Sequence, residues 1–124
     1  MIVMGKAFVI HTHTGYGPTH YDLMLQEGRS LATWQLAQAP TGLAPGDQLP
    51  ARRLKDHRLH YLTYEGPVSG DRGRVDLLEA GTYSLLERHE GLWRVEFRGR
   101  SLRGTFELLH GGAGEDWTFR RLPG

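Results

Sequence analysis

The apolar positions of this 124-residue chain fall in short alternating runs rather than in helical stripes. Leu92-Trp-Arg-Val-Glu-Phe97 and Thr105-Phe-Glu-Leu108 show the period-two pattern of a strand with one buried face. Similar runs at 7–11, 20–26, 31–36, 51–54, 73–78, 82–87, 92–97, 101–109 and 117–121 predict strands, many rich in β-branched and aromatic residues. Turn signals separate them: Glu27-Gly28, Pro45-Gly46-Asp47, Gly70-Asp71, Ala80-Gly81, Glu90-Gly91, Arg98-Gly99 and Gly111-Gly112. No window of about eleven residues carries a 3.6-residue apolar stripe. The expected fold is mainly β: a closed or nearly closed antiparallel barrel, or a sandwich. The barrel is preferred because closure leaves no edges. Residues 12–19 and 37–49, rich in glycine and proline, read as loops, where a rigid β scaffold tends to carry function.

Composition narrows this picture. The length suits a single domain, 1–124, with one core. The absence of cysteine excludes disulfides and zinc–thiolate sites and fits a cytoplasmic protein. No apolar run approaches the roughly 18 residues of a membrane helix. The first six residues lack the basic start and long apolar stretch of a signal peptide. A net charge of +1 says nothing about nucleic acid, but its distribution says more. Arg52, Arg53, Lys55 and Arg58 surround His57, and arginine forks suit phosphates and carboxylates. Arg94, Arg98, Arg100 and Arg103, and then Arg120 and Arg121, read as solvated surface.

Chemistry concentrates in His-Tyr-Asp at residues 20–22. On a strand, His20 and Asp22 leave the same face and Tyr21 leaves the other. His13, across a Gly/Pro loop, is able to fold back onto them. Two imidazoles and a carboxylate suit manganese, zinc or iron and leave positions open for water and substrate. The same spacing also fits a hydrogen-bonded surface pair. Downstream, His57 is a candidate fourth ligand, phosphate donor or acid, and Tyr61 a phosphate contact. The alternative makes Leu54, Leu59 and Tyr61 core and the charged residues a solvated face. Asp56 should point away from His57 if the segment is extended. His60 reads as structural, and His89 and His110, beside turn glycines, as surface.

These segments, in this order, resemble the 3′-phosphoesterase domain of bacterial DNA ligase D. Phe8-Val-Ile-His-Thr-His13, His20-Tyr-Asp22, Thr33-Trp-Gln-Leu-Ala-Gln-Ala-Pro-Thr41 and Lys55-Asp-His-Arg-Leu-His-Tyr-Leu-Thr-Tyr-Glu-Gly66 follow the family's blocks. Gly81-Thr-Tyr83, Leu102-Arg-Gly104 and Trp117 also fit, so the likeness spans almost the whole chain. The resemblance implies a compact barrel with a groove on one side. It implies a manganese-type ion on His13, His20 and Asp22, with zinc as the other candidate, and His57 and Tyr61 at the phosphate. It implies removal of a 3′-phosphate or 3′-ribonucleotide from DNA or RNA–DNA ends in repair, in company with a DNA ligase or end-joining polymerase and without a membrane.

Three family cations are missing. Met24 replaces an arginine, Gln38 a lysine, and Leu49 an upstream arginine. Arg52, Arg53 or Arg58 are candidates to substitute as substrate-binding cations, and His11 is placed to share a ligand role. The expected activity is therefore weakened or altered. The alternative is a non-catalytic, metal-stabilised module that binds nucleic-acid ends or a repair partner.

Overall fold

The computed structural model describes residues 6–123, and the signal-peptide reading therefore concerns residues that lie largely outside it. Among these residues nine strands form one antiparallel sheet: β1 (Lys6–Thr14), β2 (His20–Glu27), β3 (Ser30–Leu36), β4 (Gln48–Arg58), β5 (Gly66–Pro67), β6 (Arg74–His89), β7 (Leu92–Gly99), β8 (Arg103–His110) and β9 (Asp116–Arg121). Eight close into a barrel in the order β1-β2-β3-β4-β9-β8-β7-β6, with β6 pairing back onto β1. The two-residue β5 pairs with the start of β6. Short 3₁₀ turns occupy Pro40–Gly42 and Leu59–Leu62. Among the described residues no helix is long and apolar enough to cross a membrane.

Alternation sorts each strand between the barrel interior and its outside. Leu23 and Leu25 of β2, Ala32, Trp34 and Leu36 of β3, and Trp93, Val95 and Phe97 of β7 fill the interior. Trp34 meets Trp93 edge-on at 5.2 Å and Trp117 at 5.6 Å. Arg53 is turned inward as well. Its guanidinium lies 4.3 Å from the Trp34 ring centroid, while Arg88 covers Trp93 at 4.1 Å. The two cations lie over the tryptophans of the filled interior, where each cation–π contact contributes about 0.5–2 kcal/mol.

A second, smaller core lies on the outside of β1–β3. Val9, Met24 and Leu31 are buried there beneath Tyr61, Leu62 and Leu77. The chain leaving β4 therefore folds back over the outer face, and its apolar residues hold it down. This cover sets the position of everything between His57 and Tyr61.

The expectation of two strands at 73–78 and 82–87, split by a turn at Ala80-Gly81, is corrected. They form the single 16-residue β6, which pairs with β1 along its first part and with β7 along its second. Gly81 marks close backbone approach rather than a turn: a Cβ there would collide with the Arg98 carbonyl and lie 2.8 Å from the Gly99 Cα. A bulge between Ile10 and His11 shifts the β1–β6 register just before the histidines.

Glu79, 4% exposed, ties this junction together. Its carboxylate accepts the backbone N–H groups of Ala80, Arg100 and Leu102 at 3.0, 3.0 and 2.7 Å, and that of Ser101. Burial alone would raise this carboxyl; the four donors outweigh it and hold it below its ordinary 4.5. Glu79→Gln is expected to cost about 3 kcal/mol at neutral pH, since it discharges the acceptor of four backbone hydrogen bonds. A depressed folded-state value places this stabilisation above pH 4.5 and removes it as pH falls through that value. Urea unfolding at pH 7 and again below pH 4 checks this: the gap between wild type and variant should narrow in acid.

Candidate active site

His13, His20 and Asp22 converge on the outer face of β1 and β2. The β1–β2 register sets His13 opposite His20 and His11 opposite Asp22. His13 Nδ1 is 3.7 Å from Asp22 Oδ2, and His20 Nε2 is 3.7 Å from Asp22 Oδ1. The candidate ligand atoms of the three residues lie within 4.8 Å of one another. Ligands each about 2.1 Å from one ion stand at most about 4.2 Å apart, so each histidine–aspartate separation already suits a shared ion.

Backbone carbonyls orient both rings. His13 Nε2 donates to the Arg72 carbonyl at 2.6 Å, and His20 Nδ1 donates to the Pro18 carbonyl at 3.2 Å. These bonds turn the other nitrogen of each ring toward Asp22. Metal-binding histidines are usually held this way. Arg72 can reach His13 because Gly73 packs directly on Thr14 and Gly15 at φ +76°, where a Cβ would strike the Thr14 carbonyl. Asp22 is 4% exposed, and among the described residues its Oδ1 has no hydrogen-bond partner. Burial pushes its carboxyl above the ordinary 3.8, and His20, His57 and His13 pull it only part of the way back. A buried carboxylate with an unpaired oxygen and two oriented imidazoles make a donor set that fits a divalent cation.

A pocket of about 230 Å³ encloses this cluster, and His11, Gln35, Leu54, His57 and Tyr61 also line it. His57 Nδ1 donates to the Lys55 carbonyl at 2.9 Å, which leaves Nε2 free for the pocket. Tyr61 stands between the rings of His57 and His11, at 5.8 and 6.2 Å. Asp56 points elsewhere, accepting from Ser30 at 3.0 Å.

Sequence reasoning singled out His11 only as an auxiliary to His13. It is 1% exposed, and among the described residues its Nε2 lacks a partner. Burial, and then the neighbouring His57, push it down to about 4, so it is neutral at pH 7. It stands outside the three-residue cluster. The roles of Arg72 and Pro18 carried no sequence signal, because they act through backbone carbonyls.

The candidate cations fare differently. Arg53 is held over Trp34, and it does not line the pocket. Arg52 lines an adjoining cleft and pairs with Glu115 at 3.4 Å. Arg58 is exposed at the end of β4. Met24 is wholly buried in the outer core, and Leu49 turns inward opposite Phe119. His60 is exposed against Tyr61, His89 pairs with Glu87, and His110 donates to the Gly114 carbonyl at 2.8 Å.

Residues 10–110 match the sequence model of the family described as the DNA Ligase D 3'-phosphoesterase domain. The chain belongs to that family. The match runs from β1 to the end of β8 and so takes in every residue of the pocket. No curated protein matches the chain. As a member of the DNA ligase D 3′-phosphoesterase family, this is a 3′-phosphoesterase-like domain of a family that acts on nucleic-acid 3′ ends.

Proposed function

We propose that this protein is a cytoplasmic, divalent-metal-dependent phosphoesterase that removes a 3′-phosphate or 3′-ribonucleotide from nucleic-acid ends in DNA repair. One observation carries the reading: two imidazoles, each oriented by a backbone carbonyl, face a buried carboxylate one of whose oxygens has no hydrogen-bond partner among the described residues. His13, His20 and Asp22 would hold the ion, manganese or zinc, which would supply positive charge for phosphoryl oxygens and acidify a bound water. His57, with Nδ1 engaged by Lys55, offers Nε2 to the pocket. Protonated, it donates to a phosphoryl or leaving oxygen; neutral, it accepts a proton. The Tyr61 hydroxyl orients the phosphate. Leu54 and Val75 supply apolar wall that limits water.

A second reading, a non-catalytic module binding nucleic-acid ends or a repair partner, is favoured by one feature. Met24 and Leu49, at two of the three family cation positions, are buried. Incubating the protein with manganese and a duplex bearing a recessed 3′-phosphate or 3′-ribonucleotide separates the two. Product that requires metal and disappears in His20→Ala supports the enzyme. Absence of product with binding of the same duplex at low salt supports the module.

A further inference from the structure

The active-site pocket opens sideways into a larger cleft of about 570 Å³, and the two share Tyr16, His20 and Gln35. We propose that this cleft is a nucleobase subsite, holding the base of the terminal nucleotide whose phosphate sits at His13, His20 and Asp22. The inference rests on the function proposed above and adds to it what holds the nucleoside.

Pro50, Ala51 and Trp117 give the cleft apolar wall, and its volume suits a small organic ligand. Tyr16, which lines both the cleft and the pocket, is 54% exposed. Its ring lies nearly parallel to His13, 6.2 Å away at 20°, so the aromatic surface continues from the phosphate pocket into the cleft. The loop that presents it bends at Gly15 and Gly17, with φ of +78° and +67°.

Charge decides which part of a nucleotide belongs there. Arg52 is the cleft's cation, but Glu115 already pairs with it, and Asp116 adds a carboxylate to the lining. A phosphate gains little from such a wall. A flat neutral ring gains stacking from the aromatics, and the Gln35 and Asp116 oxygens can accept from exocyclic amino groups. Phosphate and base are thereby sorted into adjoining compartments, with His20 on the boundary.

The test is fluorescence anisotropy with manganese and two labelled primer–templates, one with an ordinary 3′-terminal nucleotide and one with an abasic 3′-terminal residue, each 3′-phosphorylated. Wild type, Tyr16→Ala and Tyr16→Phe are compared. Tyr16 is exposed, so circular dichroism should show all three folded. Tyr16→Ala is expected to weaken binding of the ordinary end about tenfold, the scale of one base stacked on an aromatic side chain. Tyr16→Phe should stay within about twofold of wild type, and the abasic end should bind all three equally weakly. The proposal is overturned if Tyr16→Ala binds like wild type, if it loses equally on both ends, or if wild type binds neither end. Cleavage is measured separately. Base-dependent binding without turnover keeps the subsite and sinks the phosphoesterase reading; turnover with base-independent binding does the reverse.

Discussion

Asp22→Asn is expected to remove metal-dependent cleavage while leaving the metal-free protein folded and slightly more stable than wild type. Asparagine keeps the shape of the side chain and discards the charge. Losing one of three ligands costs several kcal/mol of transition-state stabilisation, and about 4 kcal/mol is roughly a thousandfold in rate. The stability gain follows from burial, which disfavours the Asp22 carboxylate before any cation is bound. Thermal unfolding with and without manganese provides the second readout. A ligand bound only by the folded state stabilises by about 2.7 kcal/mol at a hundred times its dissociation constant. Wild type should show a manganese-dependent rise in Tm, and Asp22→Asn should not. Full activity in the variant, or an unchanged manganese shift, would remove Asp22 from the metal site.

Met24→Arg, which restores the family's residue, is expected to destabilise the protein by about 3 kcal/mol or more rather than to rescue phosphate binding. Met24 is wholly buried between Val9 and Leu31, beneath Tyr61 and Leu62. Among the described residues it does not line the active-site pocket. A guanidinium there must bury its charge or lift the 3₁₀ turn, and lifting the turn carries Tyr61 away from the pocket. Urea unfolding measures the first effect and the cleavage assay the second. Unchanged stability with faster cleavage would mean that the side chain threads past Tyr61 into the pocket and that the cover is not a fixed part of the fold.

What could be read from the chain beforehand follows the range of each interaction. The alternation at His20, Asp22 and Tyr21 is local, so it placed the two candidate ligands on one face and the tyrosine on the other. The short loop after His13 returns the chain directly, so the pairing of His13 with His20 was also within reach. Gly81 was misread because a glycine required by close strand packing looks, in sequence, like one required by a turn. Arg53 sits in a basic cluster, and only the register against Trp34 shows that it faces inward. Met24 stood out as a departure from the family, but its burial depends on residues 61 and 62, which reach it only after the chain folds back. The Arg72 and Pro18 carbonyls were invisible because any residue type supplies one.

The outer face of the barrel across β6–β9 carries one more consequence. Glu87, Arg94, Glu107 and Arg120 alternate in sign across four neighbouring strands, and Glu107 is buried between its two arginines. Arg74 and Arg98 are likewise neutralised by Asp76 and Glu96. With a net charge of +1, such a surface projects little field into solvent. Encounter of this face with a polyanion then gains little electrostatic steering, and few counterions are displaced from it. On the function proposed above, such a protein would receive a terminus already brought close rather than scan along a duplex, and its selectivity would reside in the fit of that terminus.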